Sequence, residues 1–150
     1  MKITIIAVGK EKDFPAHDLV REYTDRILHY YDCEWKYIPS ESERIDNEKL
    51  DKILEKSQSG TYVVTLDEKG REFSSKEFSE KIMGASLNNS VRNLIFVIGG
   101  SYGLNDRVRS KADIVLALSK LTFPHQLVRL ILAEQIYRAC SIISGEKYHH

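Results

Sequence analysis

Residues 118 to 135 read LSKLTFPHQLVRLILAEQ. The stretch begins as the end of an apolar strand, passes through a compact turn at Thr122-Phe123-Pro124-His125, and enters a long helix whose apolar residues nearly encircle it. A strand that gives way to a helix through so short a turn is the unit of an α/β fold. It leaves backbone amides and a few polar side chains beside a concave surface, where such folds bind small ligands.

The rest of the chain repeats that alternation. Strand-like runs occupy Lys2 to Val8, Cys33 to Ile38, Tyr62 to Leu66, Leu94 to Ile98 and Ile114 to Leu118. Between them, Pro15 opens a helical stretch through Leu19, Tyr23, Ile27 and Tyr30, and Leu50, Ile53 and Leu54 mark a short amphipathic helix after a polar, loop-like Ser40 to Asn47. Ser74 and Glu77 stand at capping-box spacing, so a helix begins there, and Asn105 is placed to cap another. The final helix runs from about His125 to Ser144 and stops at Gly145. Strands interleaved with helices predict one α/β domain spanning residues 1-150, with a mostly parallel five- or six-stranded sheet and helices on both faces.

Composition excludes several classes. The chain has 150 residues, 42% of them hydrophobic, enough for one full core. Its 22 basic and 22 acidic residues cancel, so it lacks the broad positive field of a protein that coats nucleic acid, and an RNA partner must meet a local patch or a surface completed by a second subunit. The two cysteines, Cys33 and Cys140, have no CxxC spacing, which fits a reducing cytoplasm. No apolar run is long enough for a signal-peptide core or a membrane span. His17 and His29 have no ligand set at metal spacing, so no metal site is predicted, and Cys140 in an apolar helix reads as inert packing.

Three features carry candidate chemistry. Ile98-Gly99-Gly100-Ser101-Tyr102-Gly103-Leu104 is a glycine-rich turn after a strand; it is not GxGxxG, and alone it is more often just a turn. In a parallel sheet, however, Leu66-Asp67, Gly99-Gly100 and Leu118 to Pro124 fall on one edge. The last helix is the second feature, apolar over a wider girth than packing on one sheet requires, which predicts burial against a partner subunit. On it, Glu134 and Arg138 form an i,i+4 pair, Arg129 and Arg138 are candidate phosphate ligands from one side of the helix, and His125 reads as structural. The third feature is the terminal Tyr148-His149-His150, either a frayed end or tag remnant, or a stacking and hydrogen-bonding group for a base.

At these residues the chain resembles the ribosomal large subunit methyltransferase H family, of the SPOUT class. The resemblance spans essentially the whole chain and is carried by KITIIAVGK at the start, VVTLDEKGR in the third strand, IFVIGGSYGL, LSKLTFPHQLVRLILAEQIYRA, and the closing GEKYHH. The chain departs from the pattern in a short connection from Pro39 to Leu50 and in Arg71, where lysine is common. The resemblance implies a C-terminal trefoil knot, a topology that chain-connection rules count as rare. It also implies a homodimer that uses S-adenosylmethionine to methylate N3 of a pseudouridine in large-subunit rRNA within the assembled ribosome. Carried over by motif, the cofactor pocket comprises Leu66, Gly99, Gly100, Leu118, Ser119, Lys120, Leu121, Thr122, Phe123 and Pro124. Tyr148 and His149 are the candidates for handling the acceptor, with Arg138 holding phosphate or ionised base and Glu134 orienting it. Two other readings compete: a nucleotide-binding hydrolase on a Rossmann-like sheet, which lacks a P-loop lysine, and a non-catalytic dimeric ribosome adaptor.

Overall fold

The computed structural model describes residues 1–12, 15–57, 59–87 and 90–146. Strands β1 (Lys2–Val8), β2 (Asp32–Ile38), β3 (Thr61–Glu72), β4 (Asn93–Ile98) and β5 (Ile114–Ala117) alternate with helices α1 (His17–Ile27), α2 (Glu43–Glu55), α3 (Ser75–Lys81), α4 (Asp106–Arg109) and α5 (His125–Ile143), and a 3-10 turn spans Met83–Leu87. The described strands form one five-stranded sheet in the order β2-β1-β4-β3-β5. Every pairing is parallel, so each strand ends at the same edge.

Both faces of the sheet are covered, which explains why the strands read as continuous apolar runs. Ile3, Ile5 and Ala7 of β1 join Leu94, Phe96 and Ile98 of β4 in the larger core, with Leu132, Ile136, Ala139 and Cys140 of α5. Ile6 and Val8 point the other way, into a core shared with Leu50 and Leu54 of α2 and Val108 of α4. Helix α5 packs on α1 and α3 on the first face, whereas α2 packs on α4 on the second.

Local chemistry sets the boundaries and corrects three of the expected elements. Ser74 accepts from the Glu77 amide and the Glu77 carboxylate accepts from the Ser74 amide, completing the capping box, while the Asn105 side chain caps α4 through the Val108 amide. Helix α2, however, begins at Glu43, inside the stretch that reads as loop. Its polar residues are used internally: Ser42 caps through the Ile45 amide, Asp46 accepts from Ser40 Oγ and the Glu41 amide, and Asn47 Oδ1 accepts from the Asn105 amide. Strand β3 likewise runs past Leu66 to Glu72, because after a bulge Arg71 and Glu72 pair again with Leu116 and Ala117 of β5. Helix α1 starts at His17 rather than Pro15 and ends before Tyr30.

Arg129 is not a phosphate ligand. Only 2% exposed, it lies among the core residues, and its guanidinium donates to the carbonyls of Val8 at 2.8 Å and Lys10 at 2.9 Å while lying 5.2 Å from the Tyr37 ring centroid. Nine residues along a helix is a rotation of about half a turn beyond two full turns, so Arg129 and Arg138 do not share a side of α5. Gly9 confirms the tightness of the seat: its φ is +112°, and a Cβ there would lie 2.6 Å from Arg129 Nη2. Arg129→Met should lower the free energy of urea unfolding by about 2–4 kcal/mol, because two buried carbonyls lose their donor.

Candidate functional site

A crevice of about 880 Å³ opens at the C-terminal edge of the sheet, within the range of a small-molecule site. Its walls are the bulged part of β3 from Leu66 to Lys69, the turn after β4 from Ile98 to Leu104, the loop after β5, and the first turns of α5 at His125, Gln126 and Val128. Leu66, Gly99, Gly100, Leu118, Ser119, Leu121, Thr122, Phe123 and Pro124 all line it, as the sequence leads one to expect. Lys120 does not: its side chain is 87% exposed and stands 3.9 Å from Glu72.

Each wall is built by local constraints. After β4 the chain turns back on itself, with the Gly103 amide donating to the Gly100 carbonyl at 3.0 Å. A Cβ at Gly100 would lie 2.9 Å from Val8 Cγ1, so only glycine lets this turn settle against the end of β1. Residues 118–124 belong to neither helix nor sheet. That loop is shaped by Ser119 Oγ accepting from the Leu121 amide at 3.0 Å and by Thr122 Oγ1 donating to the Glu68 carboxylate across the crevice. Pro124 starts α5 without a side-chain cap, and its carbonyl accepts from Leu127 and Val128.

Two charged residues of the walls, Asp67 and Arg109, are paired with each other. Arg109 donates to Asp67 Oδ2 at 2.6 Å, and hydrogen bonds to Asp106 and Asp67 hold its guanidinium above its ordinary range. Sequence reasoning assigns Arg109 no role; the i,i+3 spacing from Asp106, just after the Asn105 cap, is the available signal. Burial pushes the thiols of Cys33 and Cys140 up to about 12, which removes them as nucleophiles. Among the described residues no cluster of three His, Cys, Asp or Glu side chains can hold a metal, and no helix is long and apolar enough to cross a membrane.

Glu134 and Arg138 are brought to each other but not to this crevice. Arg138 Nε and Nη2 donate to Glu134 Oε1 at 3.0 and 2.6 Å, and Gln135 Nε2 donates to Glu134 Oε2 at 2.6 Å. Both acidic and basic side chains are mostly covered, at 18% and 24% exposure. They lie about 14 and about 20 Å down the helix axis from His125 at 1.5 Å per residue. Tyr148, His149 and His150 lie outside the described residues.

Gly100→Val should weaken calorimetric binding of S-adenosylmethionine by about tenfold or more, equivalent to about 1.4 kcal/mol, if this crevice is the pocket.

The family model described as "Predicted SPOUT methyltransferase" matches residues 1–149. The chain is 42% identical over 156 aligned positions to the ribosomal RNA large subunit methyltransferase H of Cytophaga hutchinsonii, covering 100% of each chain. It is 41% identical over 157 positions to the protein of that name from Christiangramia forsetii, covering 100% of this chain and 99% of the relative. Against the one from Clostridium acetobutylicum it is 44% identical over 163 positions, with 99% of each covered.

Proposed function

The chain belongs to the SPOUT methyltransferase family, and we propose that it methylates N3 of a pseudouridine in large-subunit rRNA from S-adenosylmethionine, acting as a cytoplasmic homodimer on assembled ribosomes. The observation that carries the cofactor assignment is the convergence of Leu66, Gly99, Gly100 and the 118–124 loop, distant in sequence, on one crevice. The fit is chemical as well as spatial. Leu66, Leu118 and Leu121 offer an apolar bed for an adenine ring, the glycines allow close approach of the main chain, and loop amides and carbonyls suit the polar edge of the base. On the same reading, the knot forms where that loop carries the chain from the β5 edge past the ends of β3 and β4 to α5, whose Arg129 is tied to the end of β1.

S-adenosylmethionine, when bound, supplies a methyl group on a positively charged sulfur. No covalent protein nucleophile is then required, in keeping with the raised thiols of the half-buried Cys33 and the buried Cys140. The chain's own task is to align the acceptor nitrogen and take its proton. In this reading His149 accepts the N3 proton, Tyr148 stacks on or hydrogen-bonds to the base, and Arg138, held by Glu134, meets phosphate or the ionised base. The hydrolase and adaptor readings have no support from the family match.

Chain length argues that these groups act on the crevice of a second subunit. Helix α5 has 19 residues, so its ends stand about 28 Å apart. The crevice lies at its first turn, while Glu146, just past its last, accepts from the Tyr30 hydroxyl at 2.6 Å beside the start of β2, the opposite edge of the sheet. His149 is three residues further on, a reach of about 11 Å at most. A homodimer that pairs one chain's tail with its partner's crevice removes the mismatch. The outward face of α5, where Leu127 and Ile131 accompany the Glu134–Arg138 pair, suits the interface.

Deleting Tyr148 to His150 should therefore abolish methylation while leaving S-adenosylmethionine binding nearly intact. Mixing that deletion with Gly100→Val, at an S-adenosylmethionine concentration too low to load the Gly100→Val crevice, should restore up to about a quarter of wild-type turnover through randomly paired twofold dimers; no recovery would mean the tail works within its own chain. Intact ribosomes should be methylated faster than naked rRNA at equal salt, since the chain carries no net charge to hold free RNA. Mass spectrometry of the digested rRNA reads both the rate and the modified nucleoside.

A further inference from the structure

One guanidinium joins two walls of the crevice. Arg109 Nη1 donates to Asp67 Oδ2 and to the Leu104 carbonyl, both at 2.6 Å, and Nη2 donates to Asp106 Oδ1 at 2.5 Å. Asp67 ends the β3 wall and Leu104 ends the glycine turn after β4; both line the crevice, as does Arg109 itself. The second oxygen of Asp67 accepts from the Lys69 amide at 2.9 Å, so the same carboxylate also shapes the corner at residues 67–69. With the Arg109 and Asp67 side chains 28% and 10% exposed, the pair is sheltered enough to exceed an ordinary surface bridge.

We propose that Arg109 is a positioning residue for cofactor binding: a strut that fixes the spacing between the bulged part of β3 and the turn after β4, the two walls that grip the methyl donor. The inference rests on the S-adenosylmethionine reading of the crevice. A planar guanidinium serves three acceptors at fixed angles; an ammonium has no such fork. The turn it braces is glycine-rich and held internally by the single Gly103–Gly100 backbone bond, so its placement relative to β3 depends on outside contacts. Without the guanidinium, the Leu104 carbonyl and Asp67 lose their common donor and the two walls are no longer tied. Both walls grip the donor before and during transfer alike. Their loss therefore weakens binding uniformly and leaves the chemical step untouched.

The test compares Arg109→Gln and Arg109→Lys with Lys111→Gln in the full-length protein. Lys111 also ties α4 to its surroundings, through Asp51 and Glu55 of α2, but it does not line the crevice. Arg109→Gln should raise the calorimetric Kd for S-adenosylmethionine, and its KM, by about tenfold or more, while kcat at saturation stays within about threefold. Arg109→Lys should recover part of the affinity. Lys111→Gln should lower the thermal midpoint with Kd unchanged. The strut is refuted if Arg109→Gln binds the donor as wild type does, if its loss is confined to kcat, or if Lys111→Gln weakens binding equally. Failure of the wild-type protein to bind S-adenosylmethionine would instead overturn the reading of the crevice on which the strut rests.

Discussion

The parallel ladder is the constraint on which the rest depends. Because β3, β4 and β5 run in one direction with β3 between the other two, their C-terminal ends meet at one edge, and everything that follows a strand is delivered there. Antiparallel pairing would send alternate loops to opposite edges. The crevice is therefore a consequence of topology before it is a matter of side chains. Local residues then decide its form: Gly100 lets the turn lie against Val8, Gly99 lets it fold back on Gly103, and Pro124 leads from the loop into α5.

That logic explains what the sequence reveals. The residues that line the crevice are legible because strand ends are marked by a switch from continuous apolar runs to Gly, Pro and polar residues, and the parallel arrangement converts those switches into spatial neighbours. Lys120 is the exception within the loop; the sequence places it there, but only the backbone decides that its side chain leaves toward Glu72. The misread α2 boundary has a different cause. Ser42, Asp46 and Asn47 are types that favour turns; here Ser42 caps the helix, and Asp46 and Asn47 lie within it while their side chains serve partners outside it, including the Asn105 amide far along the chain. Periodicity carries no information about such distant acceptors. The second half of β3 is hidden for the same reason, since Arg71 and Glu72 pair with β5 only after a bulge.

Three arginines show how little residue type alone determines. Arg129, on an apolar helix, reads as a ligand for phosphate, yet the fold turns it inward to serve the carbonyls of Val8 and Lys10. Arg138, on the other side of the same helix, is held to Glu134 by its Nε and Nη2. Arg109, in a helix of four residues, is given no role by the sequence and yet ties two walls of the crevice together. What separates them is the number and kind of acceptors the surrounding backbone presents, which depends on long-range packing. A buried guanidinium is tolerated only where carbonyls or carboxylates replace its water, and each of these seats supplies them.

The length of α5 links this packing to catalysis. A helix of 19 residues is required to cover the sheet from edge to edge, and its inner face does so through Leu132, Ile136, Ala139 and Cys140. The same length separates the crevice at its start from the chain's end at its finish by more than the following residues can span. If Tyr148 and His149 handle the acceptor as proposed, core formation and a self-contained active site are in conflict within one subunit. The proposed homodimer removes that conflict, because a twofold axis can lay the outer faces of two such helices together and pair each tail with the partner's crevice. On that proposal, the apolar girth of the helix, the sheltered Glu134–Arg138 pair and the chemistry of Tyr148-His149 share one explanation: two chains complete a site that one chain folded around this helix cannot.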